Sequence, residues 1–243
     1  MPRTEKRIAL ACTLMGCASA GPAFAQYADG VSATVEIASE ERRRGLSWSD
    51  GDPVLRGTLS VPVAEGLSLE GTAVSLWGDE RHGGADAVLD LGAAHVRQIG
   101  GWRLSAEGRY HLFPGASGQG YGEIGAGAGF LIGPASVDLN ASYAPRQSSL
   151  GGDNLYLSAT VATGLPGTPL TLSARIGRSS GEVRDPVQAA RLRPEGTYWD
   201  HGINVDYLMD RWFVGLRYAN SSIDGPGSRH AGASLIGRVG LSL

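Results

Sequence analysis

The chain has 243 residues, with 37 Gly, 12 Pro and a formal net charge of −3. That much glycine and proline argues against long helices, and no apolar run is long enough for a membrane-spanning helix. The acidic balance excludes a basic nucleic-acid footprint, so no nucleic-acid partner is expected.

Residues 1–25 have the layout of a secretory signal. Arg3, Lys6 and Arg7 open it, an apolar stretch follows, and Ala23-Phe24-Ala25 is an A-x-A cleavage site. A competing reading is a lipobox, Leu14-Met15-Gly16-Cys17, with Cys17 lipidated. Both cysteines, Cys12 and Cys17, lie in this segment, so residues 26–243 have none and no disulfide can form there. Cleavage after Ala25 removes three bases and one acid, taking the net charge from −3 to about −5. Two domains follow: the signal, 1–25, and one β-rich domain, 26–243.

The first strand is expected over 31–41, with Val31, Ala33, Val35 and Ile37 on one face and Glu36 on the other. A polar loop, 43–53, leads to a second strand over 54–63, where Leu55, Leu59 and Val61 alternate with Arg56, Thr58 and Ser60. Ala64-Glu65-Gly66 is a tight turn, and the third strand, 67–77, carries Glu70 on its polar face. After a charged loop, 78–85, the fourth strand, 87–97, sets Leu89 and Leu91 against Asp90.

The fifth strand, within 101–112, has the clearest pattern. Trp102, Leu104, Ala106, Gly108, Tyr110 and Leu112 alternate with Arg103, Ser105, Glu107, Arg109 and His111. Successive side chains of a strand point to opposite faces, so one face is apolar and the other charged. About ten alternating residues with aromatics near both ends is the pattern of a strand crossing an outer membrane.

The sixth strand, 121–131, sets Ile124, Ala126, Ala128 and Phe130 against Glu123 and three glycines; the seventh, 135–143, sets Val137 and Leu139 against Asp138 and Asn140. The eighth, 155–163, ends in a Gly/Pro turn. The ninth, 170–177, carries Arg175 on its polar face. The longest loop, 178–196, has room for one or two helical turns. The tenth strand, 198–208, carries Asp206, and the eleventh, 212–219, carries Arg217. The last, 231–243, places Leu235, Val239, Leu241 and Leu243 opposite Arg238.

Twelve strands result, and their connections alternate between long and short. Outer-membrane barrels have an even strand number, short periplasmic turns and long external loops. The fold class read from the chain is therefore all-β: a transmembrane, antiparallel, up-and-down barrel. Trp102, Phe130, Tyr207 and Trp212 fall near the expected inner ends, and Trp77, Tyr110, Tyr143, Trp199 and Tyr218 near the outer ends, as interfacial aromatics would.

Several short pieces resemble the TorF family of porin-like proteins: Arg44-Gly45-Leu46-Ser47-Trp48-Ser49, Asp52-Pro53, Gly57, Leu76-Trp77-Gly78, Phe113-Pro114-Gly115, Glu123, Trp199 and Gly202. The resemblance covers residues 26–243 and implies an outer-membrane barrel with a channel function and no catalytic motif. The chain departs from it where Glu41-Arg42-Arg43 stands before the Arg-Gly pair, and in ending on Leu243.

The residues expected to line the pore are Glu36, Arg56, Glu70, Asp90, Arg103, Glu107, Arg109, His111, Glu123, Asp138, Arg175, Asp206, Arg217 and Arg238. Both signs are present, which suits a water-filled lumen that sets ion preference; the alternative is that the charges pair and fill the lumen. Gly120-Tyr121-Gly122-Glu123-Ile124-Gly125 fits G-x-G-x-x-G but opens a strand, so no cofactor is expected. His82, His95, His111, His201 and His230 have no metal-ligand spacing. No G-x-S-x-G occurs. The function read from the chain is a passive porin for small polar solutes or ions, not an enzyme. Its expected partners are outer-membrane lipids and the barrel assembly machinery. A closed structural or receptor barrel is the alternative, and an outer-membrane lipid hydrolase using His111 or His201 is a third.

Overall fold

A computed structural model describes residues 30–224 and 230–243. The expected signal, 1–25, lies outside the described residues. The described strands are β1 (Ser32–Ala38), β2 (Arg42–Arg43), β3 (Leu46–Ser47), β4 (Val54–Ala64), β5 (Leu67–Asp79), β6 (Ala85–Ile99) and β7 (Trp102–Leu112). They continue with β8 (Tyr121–Ile132), β9 (Ala135–Gln147), β10 (Gly152–Gly164), β11 (Leu170–Ser180), β12 (Tyr198–Met209), β13 (Trp212–Ser221) and β14 (Ser234–Ser242). One helical turn, α1 (Pro186–Ala189), lies in the longest loop.

All strands except β2 and β3 form one closed barrel of twelve. Every pairing is antiparallel between chain neighbours, and β1 closes the ring by pairing with both β4 and β14. Closure leaves no strand edge with unpaired backbone groups.

Turn chemistry fixes the register at one end. Residues 100–101, 133–134 and 210–211 are two-residue connections, for Ile99 faces Trp102, Ile132 faces Ala135, and Met209 faces Trp212. Such turns need positive φ, supplied by Gly100 at 58°, Gly133 at 57° and Asp210 at 52°. The longer connections lie at the other end, but the sorting is less sharp than expected. Segment 148–151 is no longer than the turn 165–169, because β9 and β10 run further than the alternation alone indicated. The first strand also ends at Ala38 instead of 41, and the last begins at Ser234 instead of 231.

Alternation divides the wall. Val35, Ile37, Leu55, Leu59, Leu91, Leu104, Leu139, Leu157, Ile176, Val214, Leu216 and Leu235 are exposed on the outside. Their neighbours in sequence face in. The only large buried apolar cluster among the described residues lies inside the barrel at the long-loop end, where Leu46, Trp48, Phe113, Tyr121, Leu150, Leu192 and Tyr198 pack.

Candidate functional site: a charged interior and the loop that enters it

The charged residues expected on the inner face all come from inward positions of the ladder. Around the middle they form a chain of pairs. Arg238 reaches Glu36 at 3.2 Å and Asp206 at 2.6 Å, and Arg56 approaches Glu36 at 3.7 Å. Arg217 donates to Asn204 at 3.1 Å. Towards the short turns Arg103 pairs with Asp138. Arg109 bonds Glu107 at 3.0 Å and stands 3.7 Å from Glu70; these three side chains stay 23–32% exposed, the wettest charges of the set. Glycines in β8 make room here: a Cβ on Gly127 would come 2.5 Å from both Asn140 Oδ1 and Ser105 Oγ.

At the long-loop end the interior is filled by the first loop, residues 39–53. Its β2–β3 hairpin turns inward through Arg44 and Gly45, both with positive φ. Arg43 Nη1 lies 2.8 Å from Asp90 on β6, its Nε donates to Glu41 at 2.8 Å, and its guanidinium sits 4.2 Å from the Trp48 ring centroid. Arg44 pairs with Glu123 on β8 and lies 4.6 Å over the Tyr156 ring on β10. Its carbonyl accepts from Tyr198 Oη on β12 at 2.9 Å. Glu41 is held by Arg56 on β4. One short hairpin thus touches inner faces on several sides of the barrel.

The polar loop expected at 43–53 is thus an interior one: Arg43, Ser47, Trp48 and Ser49 are buried, as are Glu41 and Arg42 just before it. The physical reason is that the loop ions are compensated on burial: the wall supplies Asp90 to Arg43 and Arg56 to Glu41, and Arg42 pairs with Glu40 beside it. Burial alone would raise the Glu41 carboxyl, but Arg56 and Arg43 hold it below its ordinary value. Burial likewise opposes the Arg43 charge, and Asp90 and Glu41 more than offset it.

Gly45 explains the close approach. A Cβ there would lie 2.7 Å from Asp200 Cβ and 3.0 Å from Ser221 Cβ, so the hairpin meets the wall backbone-first.

A second layer seals the same end. Asp90 and His111 bond at 2.6 Å, and the His111 ring lies 4.3 Å from Tyr121. Above them His82 stacks on Phe113 at 4.7 Å between ring centroids, and Trp48 packs tilted against His82 at 4.2 Å. Arg191, from the longest loop, donates to Ser149 O at 2.6 Å and meets His82 Nδ1 at 3.2 Å. Burial first, then Arg191, Arg81 and Arg43, push the His82 pKa well below its ordinary value, so the ring is neutral with Nδ1 accepting. The one helical turn of this loop starts at Asp185, whose carboxylate caps Val187 and Gln188.

Alternation did not flag Asp200, which binds Arg175 and Tyr156 Oη, each at 3.1 Å. Nor did it flag Arg191, whose partners lie in two other loops, or Arg193, which donates to the carbonyls of Gly181 and Glu182 in its own loop and of Asp153 on β10. The G-x-G-x-x-G string runs into β8 and no helix follows it. His201 faces out, beside the Tyr218 ring, and does not join His111.

A family model described as a bacterial protein of unknown function (Gcw_chp) matches residues 23–234. The chain belongs to that family. No curated protein matches it in sequence. Among solved structures it is similar to the NanC porin, with 10% identity, a TM-score of 0.60, and 88% of this chain and 99% of that chain covered. It is similar to the KdgM porin at 10% identity and a TM-score of 0.56, covering 87% and 96%. It is also similar to the COG4313 outer membrane channel from Pseudomonas putida F1, at 11% identity and 0.54, covering 88% and 94%. At such identities the shared feature is the fold, a closed barrel.

Proposed function

We propose that the protein is an outer-membrane, porin-like channel for small polar solutes or ions, with its first loop as the constriction. The observation that carries this reading is the division of the wall: a closed barrel with an apolar outside and a charged inside. A continuous apolar outer surface of this extent is unfavourable in water and favourable in lipid. Buried charge of both signs inside suits a hydrated path. The TorF-like pieces of the sequence support the same reading. The pore-lining set is that expected from alternation, joined by Glu41, Arg43 and Arg44 from the first loop and by Asp200. The KdgM porin has been determined in complex with disordered oligogalacturonate, a polar solute; this gives the channel reading a chemical precedent and names no solute here.

The fit of the first loop favours one variation. Arg43 and Arg44 clamp across the interior and Trp48 caps it, so the resting channel is narrow or closed at that end. Conductance of the refolded chain 26–243 in a planar bilayer tests the reading. Small discrete steps are expected, and wider ones once the loop is shortened. A folded, inserted barrel that carries no ions with or without the loop would assign the protein a structural or receptor role.

A further inference from the structure

The outer wall is not uniform. Across β8 to β12 it carries a groove of about 650 Å³. Its floor is Ala126, Ala128, Ala141 and Ala159, and Leu157 and Ile176 stand beside them. The register explains its course. Ala126 faces Ala141, Ala141 faces Leu157, Leu157 faces Arg178, and Arg178 faces Trp199, so one row of paired residues crosses five strands. Four inter-strand steps of about 4.8 Å make this row, from the alanine floor to Trp199, about 19 Å long. One leaflet of a bilayer core is about 15 Å thick, so an inclined acyl chain fits this length.

The upper end of the row differs from the floor. Arg178 is exposed, two residues from the end of β11 on the long-loop side, and its only described partner is the Trp199 ring at 5.8 Å. An arginine on an apolar wall is costly unless an anion meets it. Guanidinium groups match phosphate with two parallel hydrogen bonds. We propose that this groove binds one acyl chain of an outer-leaflet phosphorylated glycolipid, with the lipid's phosphate on Arg178 and its sugar against Trp199. The proposal rests on the outer-membrane reading above. It concerns the outer wall and uses none of the channel residues.

Native mass spectrometry of the detergent-folded chain 26–243 tests it, with diphosphorylated lipid A and phosphatidylcholine as competing probes. The wild type should retain one lipid A in preference to phosphatidylcholine. Arg178→Gln should weaken retention about fivefold, the worth of one cation near a membrane surface. Ala141→Phe, which fills the trough from outside, should weaken it similarly. Arg97→Gln, on β6 near the short turns, should change nothing. Equal retention of the two lipids, or unchanged retention in both groove variants, overturns the proposal. So does a dimer that Ala141→Phe converts to monomer without altering lipid retention, which would give the groove to a second copy of the chain. The membrane reading is separated by removing detergent first. A barrel that stays folded and soluble without it refutes that reading, whereas one that needs detergent and selects no lipid refutes only the groove.

Discussion

Arg43→Ala removes one of the residues that tie the first loop to the wall. In the wild type its guanidinium binds Asp90 and Glu41, each at 2.8 Å, and its side chain is 3% exposed. Deleting one partner of a buried pair costs about 3–5 kcal/mol, chiefly because the remaining charge is left uncompensated. Here the penalty falls at the lower end. Asp90 keeps His111, and Glu41 keeps Arg56. The loop can also escape by swinging out of the lumen, which rehydrates Glu41 without unfolding the barrel. A loss of about 3 kcal/mol in docking raises the undocked fraction roughly a hundredfold. Residues 26–243 contain no cysteine, so a single Ser47→Cys, at a site of 0% exposure, reports the undocked state. Its labelling by a membrane-impermeant maleimide should be slow in the parent and roughly a hundredfold faster with Arg43→Ala, while the barrel keeps its strand content. Equal labelling rates in a folded barrel would refute the reasoning, because the loop would then be held by something other than this ion-pair cluster.

Gly45→Val should act in the same direction by sterics: its side chain has no room beside Asp200 and Ser221, and the positive φ of 77° disfavours a branched residue, so the maleimide rate should rise here too. Arg109→Glu changes the wettest charged cluster inside the barrel, and reversal potentials in a salt gradient should shift towards cation preference. His82 is neutral when buried, with a pKa far below its ordinary 6.5. His82 lies in the turn Glu80–His82 and is covered by Trp48 of the first loop, so undocking the loop exposes its ring; as pH falls through 6.5 the open state takes up a proton that the closed state refuses. Closure should therefore weaken by up to about 1.4 kcal/mol per pH unit below that value and be constant above it. Ser47→Cys labelling across pH 5–8 checks this, and His82→Phe should remove the dependence while keeping the stack on Phe113.

The barrel was legible because its wall obeys a two-residue rule. Each of Arg103, Glu107 and Arg109 sits between apolar neighbours, and only a strand separates them onto two faces. Turn residues such as Gly133 and Asp210 marked where the strands reverse. The first loop was not legible for an equally physical reason. Glu41-Arg42-Arg43 is a charge run beside a polar loop, and its burial depends on Arg56 and Asp90, which have no periodic relation to it. The signal that could have found it was the arginines set directly beside Leu46 and Trp48: large apolar residues are poor choices for a loop that stays in water. Arg191 was hidden in the same way, because its partners Ser149 and His82 belong to two other loops.

The most direct test of the channel account is single-channel conductance of the folded chain 26–243, set beside a variant in which residues 40–49 are replaced by a short glycine-serine link. The account requires small steps from the intact chain and severalfold larger steps from the shortened one, both in a barrel that needs detergent or lipid to stay folded. Identical conductance in the two, or none in either, would contradict it.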